Sequence, residues 1–427
     1  MIATTLILLL VLIGLSIPVG AALGVLGLIL DPLYSMLPLT RGIGELAWST
    51  NNEFLLVAIP LFILLGEILL RSGFAERMYG AMSLWLSWLP GGLMHANIGA
   101  SALFAATSGS SVATAATVGT VALPQIKRYG YNEPLFLGSL AAGGTLGILI
   151  PPSINLVLYG VLTNSSVPKL YLAGIIPGLL LAGLFMLTVI IGCIVKPEWG
   201  GRRITASWGE RFASLAHLAP PLGIFLLVVG SIYAGLATPT EAAALGVTGA
   251  MVLAAWSRRL TLSMLREAVE GTMKATAMIM LIILAAAFLN FVMAATGITD
   301  AITNSIRGLG LSPVQMLVVI VVFYLILGCF METLSMMITT IPIVAPIMIG
   351  LGYDPIWLGI LIIVLVEAAL ITPPVGLNLF VVQSLRKSGS MNAVIVGSMP
   401  YVAAMAVLML LLAVFPDLAL FLPRVFE

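Results

Sequence analysis

Apolar runs separated by short polar breaks recur from one end of the chain to the other. They cover residues 3–30, 53–71, 78–106, 110–126, 134–162, 170–195, 213–235, 238–256, 275–295, 311–330, 336–350, 355–382 and 392–422. A straight helix needs about 20 apolar residues to cross a bilayer, so most of these runs predict membrane spans. The runs at 110–126 and 336–350 are short, and the segments around them contain paired prolines. Such pieces predict re-entrant hairpins and broken helices, whose irregular backbone has to be enclosed by protein. The first run has no Lys or Arg ahead of it. A secretory signal would begin with a basic stretch and have a shorter apolar core. The run is therefore expected to be a retained first span with its N-terminus outside the cytoplasm.

The main polar connections are 196–211 and 256–270, and two apolar runs lie between them. Both then fall on one side of the membrane, and their Lys and Arg residues place that side in the cytoplasm. Lys127 and Arg128 join them if the chain is built from a repeat. These features divide the chain into a first half, 1–195, with a hairpin near 100–127 and a broken helix near 134–162. A central cytoplasmic loop at 196–212 and connecting spans at 213–270 follow. The second half, 271–427, has its hairpin near 331–350 and its broken helix near 355–382.

The halves resemble each other. Ser72-Gly-Phe-Ala-Glu in the first answers Thr296-Gly-Ile-Thr-Asp in the second, from 72 to 296, an offset of 224. Gly130-Tyr-Asn-Glu-Pro answers Gly352-Tyr-Asp-Pro, from 130 to 352, an offset of 222. Ile150-Pro-Pro-Ser-Ile-Asn answers Thr372-Pro-Pro-Val-Gly-Leu-Asn at that same offset. Three islands in one order at a nearly constant offset predict an internal repeat. Inverted repeats place substrate and ion sites near the midplane, where unwound helices meet.

Composition narrows the class. Of 427 residues, 61% are hydrophobic and 8% charged, against about 25% charged in a soluble domain. The solvent for most of the surface must be lipid. A net charge of +1 offers no basic face for nucleic acid. Cys193 and Cys329 lie far apart in apolar runs and are read as small packing residues rather than a disulfide or a zinc pair.

Two constellations carry candidate chemistry in the first half. In Thr107-Ser-Gly-Ser-Ser-Val-Ala-Thr-Ala-Ala-Thr117, hydroxyls sit between apolar runs, where they are costly unless partnered. Thr114 and Thr117 fit hydroxyls bonded back to a helix backbone. Ser108-Gly-Ser-Ser111 fits a hairpin tip relaxed by Gly109, because adjacent residues point different ways around a helix. In Gly143-Gly-Thr-Leu-Gly-Ile-Leu-Ile-Pro-Pro-Ser-Ile-Asn155, Pro151 and Pro152 remove two backbone donors. Carbonyls near Gly147 and Ile148 then lack partners, and a monovalent cation is a natural ligand for them. Asn155 adds an amide within reach.

The second half supplies Glu332-Thr-Leu-Ser335 and Glu367 through Thr372-Pro-Pro-Val-Gly-Leu-Asn378. Glu332 is read as a helix N-terminal acid, an ion ligand or a proton site, and Glu367 as an intramembrane acid of undecided role. Glu67 has Arg71 four residues on as a partner, and Glu241 after Thr238 reads as a first-turn acid. His95 and His217 show no metal-ligand spacing. No phosphate loop, nucleophile elbow or nucleophile–base pair is readable, so the chain is read as no enzyme and without a cofactor, and transport would run on an ion gradient.

On Ala106-Thr-Ser-Gly-Ser-Ser-Val-Ala-Thr-Ala, Gly147-Ile-Leu-Ile-Pro-Pro-Ser, Thr372-Pro-Pro-Val-Gly-Leu-Asn and the repeat, the chain resembles the large membrane subunit of tripartite ATP-independent periplasmic transporters. The resemblance covers essentially the whole chain. It implies an all-α polytopic fold, an inverted-repeat elevator with two re-entrant hairpins and two broken helices on a fixed scaffold. It also implies a small membrane (Q) subunit of about four helices, expected to be unfused here because the chain opens on its own first span. A periplasmic binding protein would deliver a small organic acid, taken up with sodium across the bacterial inner membrane. One sodium site would use Ser108, Ser110 and Ser111 with carbonyls near Gly147, and the other Thr333 and Ser335 with carbonyls near Thr372 and Gly376. The substrate would lie among Gly109, Pro151, Pro152 and Asn155 from one half and Glu332, Pro373, Pro374 and Asn378 from the other. Half-helix N-termini there offer positive dipole to a carboxylate.

Two other readings compete. One is a stand-alone carboxylate symporter or ion antiporter of the same broad fold, needing no binding protein. The other is an intramembrane enzyme, which calls for clustered His, Asp or Arg at a membrane face that the charged fraction hardly supplies.

Overall fold

The structure, a computed structural model, describes residues 1–427 apart from Ser16, Arg203, Leu309, Cys329, Phe330, Lys387, Glu427 and the side chains of Thr107 and Arg307. The expectations for Cys329 and for the Thr107 hydroxyl lie outside the described residues. Among the described residues the chain is helical, with one isolated β-bridge between Tyr131 and Gly200.

The apolar run expected as one span over 3–30 is two helices, α1 (Ile2–Gly14) and α2 (Val19–Tyr34). Pro18 stands at the N-cap of α2, where a residue without an N–H interrupts the ladder of the run. Asp31 then accepts from the amides of Leu39 and Thr40, at 3.1 Å each, which explains a buried acid in that helix. After α3 (Ile43–Asn51), α4 (Ala58–Arg71) and α5 (Phe74–Leu86) are separated by Gly73 at φ 74°. Arg71 pairs with Glu67 within α4 and lies 3.6 Å from Glu267.

The first hairpin is α6 (Leu93–Ser108) and α7 (Ser111–Tyr129), and the first broken helix is α8 (Glu133–Leu149) and α9 (Ile154–Thr163), bent by 42°. Long α10 (Val167–Val195), short α11 (Trp208–Ser214), α12 (Ala219–Tyr233) and α13 (Pro239–Trp256) follow. Thr238 and Glu241 form a capping box on α13. The polar connection expected at 256–270 ends early. Thr261 caps α14 (Leu262–Ala295), so most of that stretch is helix.

The second half repeats the plan. After α15 (Ile298–Gly308), α16 (Pro313–Leu327) and α17 (Thr333–Gly350) form a hairpin, and α18 (Pro355–Ile371) and α19 (Leu377–Ser384) a broken helix. Helices α20 (Met391–Val414) and α21 (Asp417–Val425) close the chain. Among the described residues, five helices are long and apolar enough to cross a bilayer, seven if each of two bent pairs counts as one span.

Contacts between the halves fix their relative direction. Arg386, just past α19, pairs with Glu133 at the start of α8. At the opposite end, Tyr159 of α9 donates to the Pro355 carbonyl at the start of α18, at 2.7 Å. The two broken helices therefore run antiparallel, and their hairpins open toward opposite ends. The base of the first hairpin also meets the central loop: Arg202 N–H donates to Tyr129 at 2.8 Å and Asn132 N–H to Trp199 at 3.2 Å. Lys127, Arg128 and that loop thus share one end of the molecule.

Helices α8 and α18 form the centre, buried from Leu135 to Leu149 and from Trp357 to Ile371. A helix apolar on every side belongs in such a place. The α8–α20 crossing is backbone on backbone: Gly138 lies on the Gly397 carbonyl and Gly397 on that of Pro134, the close approach small residues allow between membrane helices. Outer positions such as Leu10, Leu226, Val252, Val318 and Leu410 stay more than half exposed, as a lipid-facing surface requires.

Candidate functional site: two hairpin tips against two helix breaks

In the first half, α6 stops at Ser108 because Gly109 turns left-handed, at φ 61°, a conformation that favours glycine. Ser110 caps α7 by accepting from the Ala113 amide at 3.4 Å, and Ser111 opens the helix. Ser108 Oγ lies 3.1 Å from Thr114 Oγ1, which donates to the Ser110 carbonyl at 2.7 Å. The back-bonding expected of Thr114 is present. Thr117 differs, with a buried hydroxyl that has no partner among the described residues.

This tip abuts the first break. A methyl on Gly109 would come 3.1 Å from the Pro152 carbonyl, and one on Gly147 would come 2.7 Å from the Ser110 carbonyl and 3.0 Å from Thr114 Oγ1. Pro151 and Pro152 cannot donate to the carbonyls of Gly147 and Ile148 one turn earlier. Ser153 caps the resumed helix by accepting from Leu156 N–H at 3.3 Å. The structure thus gathers Ser108, Gly109, Ser110, Gly147, Pro151 and Pro152, with Ser111 buried beside them.

The second half is built alike but is more open. Glu332 caps α17, accepting from Ser335 N–H at 3.1 Å, Ser335 Oγ at 3.2 Å and Thr333 Oγ1 at 3.1 Å. Of its three sequence readings, the helix N-terminal acid is therefore seen, and it engages both hydroxyls expected at a cation site. Across from it, Thr372 returns its hydroxyl to Ala368 at 2.6 Å, and Gly376, at φ 54°, lies on the Leu370 carbonyl. Pro374 removes the helical donor for that carbonyl. A cavity of about 200 Å³ separates tip from break, lined by Glu332, Thr333, Leu370, Val375 and Leu377 among others.

The asparagines cross between halves. Asn155 is on α9, which packs on α17, and Asn378 is on α19, which packs on α7 and α8. Asn378 is fully buried and donates to Ala141 at 3.2 Å, so it lies at the first tip rather than beside Thr333. No spacing in the sequence signals this. Gly144 was equally silent, though it shares a face with Gly147 and lies against Asn378 and Ser111. His95 is a packed histidine, its Nε2 bonded to the Pro90 carbonyl at 2.7 Å. Glu367 is fully buried, with the backbone of Leu149 beside its carboxyl group.

A polytopic helical protein whose antiparallel hairpins meet antiparallel helix breaks is a membrane transporter in form. Residues 6–418 match the family described as "Tripartite ATP-independent periplasmic transporter, DctM component", and the chain belongs to that family. It is 37% identical to the C4-dicarboxylate TRAP transporter large permease protein DctM of Pseudomonas aeruginosa, over 90% of each chain. It is 31% identical to the isethionate TRAP transporter permease protein DctMQ of Oleidesulfovibrio alaskensis, over 95% of this chain and 64% of that one. Among solved structures, the YdaH transporter of Alcanivorax borkumensis shares the fold at a TM-score of 0.61 and 17% identity, over 94% of this chain and 98% of that one.

Proposed function

We propose that this chain is the translocating subunit of a sodium-coupled uptake system for a small organic acid in the bacterial inner membrane. Each hairpin tip and the break beside it form one cation site, the first around Ser108, Ser110, Ser111 and Gly147, the second around Thr333, Ser335, Thr372 and Gly376. The ligands are hydroxyls and carbonyls, which suit a monovalent ion, whereas a divalent one would demand more carboxylate. The substrate's carboxylate lies between the tips among Gly109, Pro151, Pro152, Asn155, Glu332, Pro373 and Pro374. Buried Asn155 has an Nδ2 without an acceptor among the described residues, a donor suited to an anion. The hairpins and broken helices move as one body against α2, α4, α13 and α14, an elevator cycle.

The observation that carries this reading is the pairing of each tip with a break where prolines take away helical donors. Relatives named for C4-dicarboxylate and isethionate transport support a small anionic substrate. The DctMQ name supports a small membrane partner, and the family description supports a periplasmic binding protein. The test is uptake into vesicles holding this chain and its small subunit, with binding protein outside and an imposed sodium gradient. Uptake without binding protein, or equal uptake on a potassium gradient, would falsify the reading. Ser111→Ala and Ser335→Ala should each raise the sodium concentration for half-maximal uptake by roughly five- to 150-fold.

A further inference from the structure

Asn378 begins in the second half of the chain, yet its amide is buried in the first. Its Nδ2 donates to the Ala141 carbonyl of α8 at 3.2 Å. That bond fixes the amide's orientation, because the flipped form would set two oxygens against each other. Oδ1 is then the free end, and this atom, on a side chain with no exposed surface, has no hydrogen-bond partner among the described residues. Leaving a buried acceptor unmet is costly unless something electropositive reaches it.

Its surroundings supply acceptors. Asn378 Nδ2, to which Oδ1 is joined through one carbon, and the Ser111 carbonyl oxygen both stand 3.1 Å from the point a methyl on Gly144 would occupy. One turn along the same face, the Ser110 carbonyl and the Thr114 hydroxyl flank Gly147. Ser108 Oγ reaches Thr114 from the other strand of the hairpin. Oxygens drawn together from α6 and α7, near a side chain from α19 whose amide oxygen has no partner among the described residues, suit a small cation. Asn155 presents the opposite case, since its atom without a partner among the described residues is a donor.

We propose that Asn378 supplies Oδ1 to the cation site of the first hairpin, so that this site is completed from the other repeat. The proposal rests on the reading of that hairpin as a sodium site. It replaces the sequence-based role of Asn378 as a substrate contact. One consequence is mechanical. An ion held jointly by Ser108–Ser111 and Asn378 ties α19 to α7, and so couples the second broken helix to the first tip.

The test uses the purified complete transporter without substrate, titrated with sodium chloride against choline chloride at constant ionic strength, and reads the shift in Tm. Asn378→Ala should raise the half-saturating sodium by about ten-fold, as loss of one oxygen ligand predicts. Asn378→Asp keeps an oxygen and adds negative charge, and should lower it by at least about three-fold. Opposite shifts are not expected of a residue that only holds helices together. Half-saturation unchanged in both variants, or raised in both, overturns the proposal. If the alanine variant does not fold, the aspartate variant decides alone, with unchanged or weaker sodium binding counting against it. A wild-type protein whose Tm ignores sodium would instead defeat the underlying sodium reading.

Discussion

Gly66 of α4 lies against the backbone of Ser108 at the first hairpin tip: a methyl there would come 3.1 Å from both the Cα and the carbonyl oxygen of Ser108. Helix α4 packs on α13 and α14, the elements proposed to stay fixed, so this glycine stands where the moving tip would slide past the scaffold. Gly66→Val should crowd the tip at backbone, which cannot rotate away, and overpacking of this kind costs about 1–3 kcal/mol. Maximal uptake should fall at least about ten-fold with little change in the substrate concentration for half-maximal uptake. Normal uptake by the valine variant would mean the tip does not pass this helix.

Glycines elsewhere allow a sharper contrast. A methyl at Gly147 would press on the Ser110 carbonyl at 2.7 Å, whereas one at Gly183 meets nothing within 4 Å. Gly147→Ala should abolish sodium-dependent uptake. Gly183→Ala should leave uptake intact and stabilise α10 by about 0.5–1 kcal/mol through helix propensity. Uptake assays and thermal melts of both variants check the pair, and a sodium response retained by Gly147→Ala would remove that residue from the site.

Much of this arrangement was legible in the sequence, for a local reason. A double proline removes donors wherever it stands, and Ser108-Gly-Ser-Ser111 cannot place all its side chains on one helix face. The break at Pro151–Pro152 and the tip at Gly109 follow from such rules. Pro18 obeyed the same rule, yet the continuous apolarity of residues 3–30 hid it. Asn378 and Gly66 were illegible because their roles arise only when distant helices meet. An asparagine carries no mark of which repeat will bury it. The Glu332 cap was half legible: its acid and the following Thr333 and Ser335 allowed a cap as well as a ligand, and local geometry favours the cap.

That cap can be tested separately from ion binding. Glu332→Ala leaves the Ser335 amide and two hydroxyls without their acceptor and should cost about 1–2 kcal/mol of stability. Glu332→Gln keeps one carbonyl oxygen and should lose less. Melting curves without sodium measure both, and wild-type Tm values for both variants would show the cap to be dispensable.

The last expectation concerns Glu367. It lies in α18, fully buried, with the backbone of Leu149 at the end of α8 beside its carboxyl group. A buried carboxylate with so little to compensate its charge costs several kcal/mol. Glutamine has nearly the same shape and carries no charge, so Glu367→Gln should match or exceed the wild-type Tm. If the acid is kept for transport, as intramembrane acids commonly are, the same variant should show slower uptake at saturating sodium and substrate. Stability held while turnover falls would mark Glu367 as a working group of the transport cycle. A variant that melts earlier but transports normally would show that the carboxyl serves the packing of α18 instead.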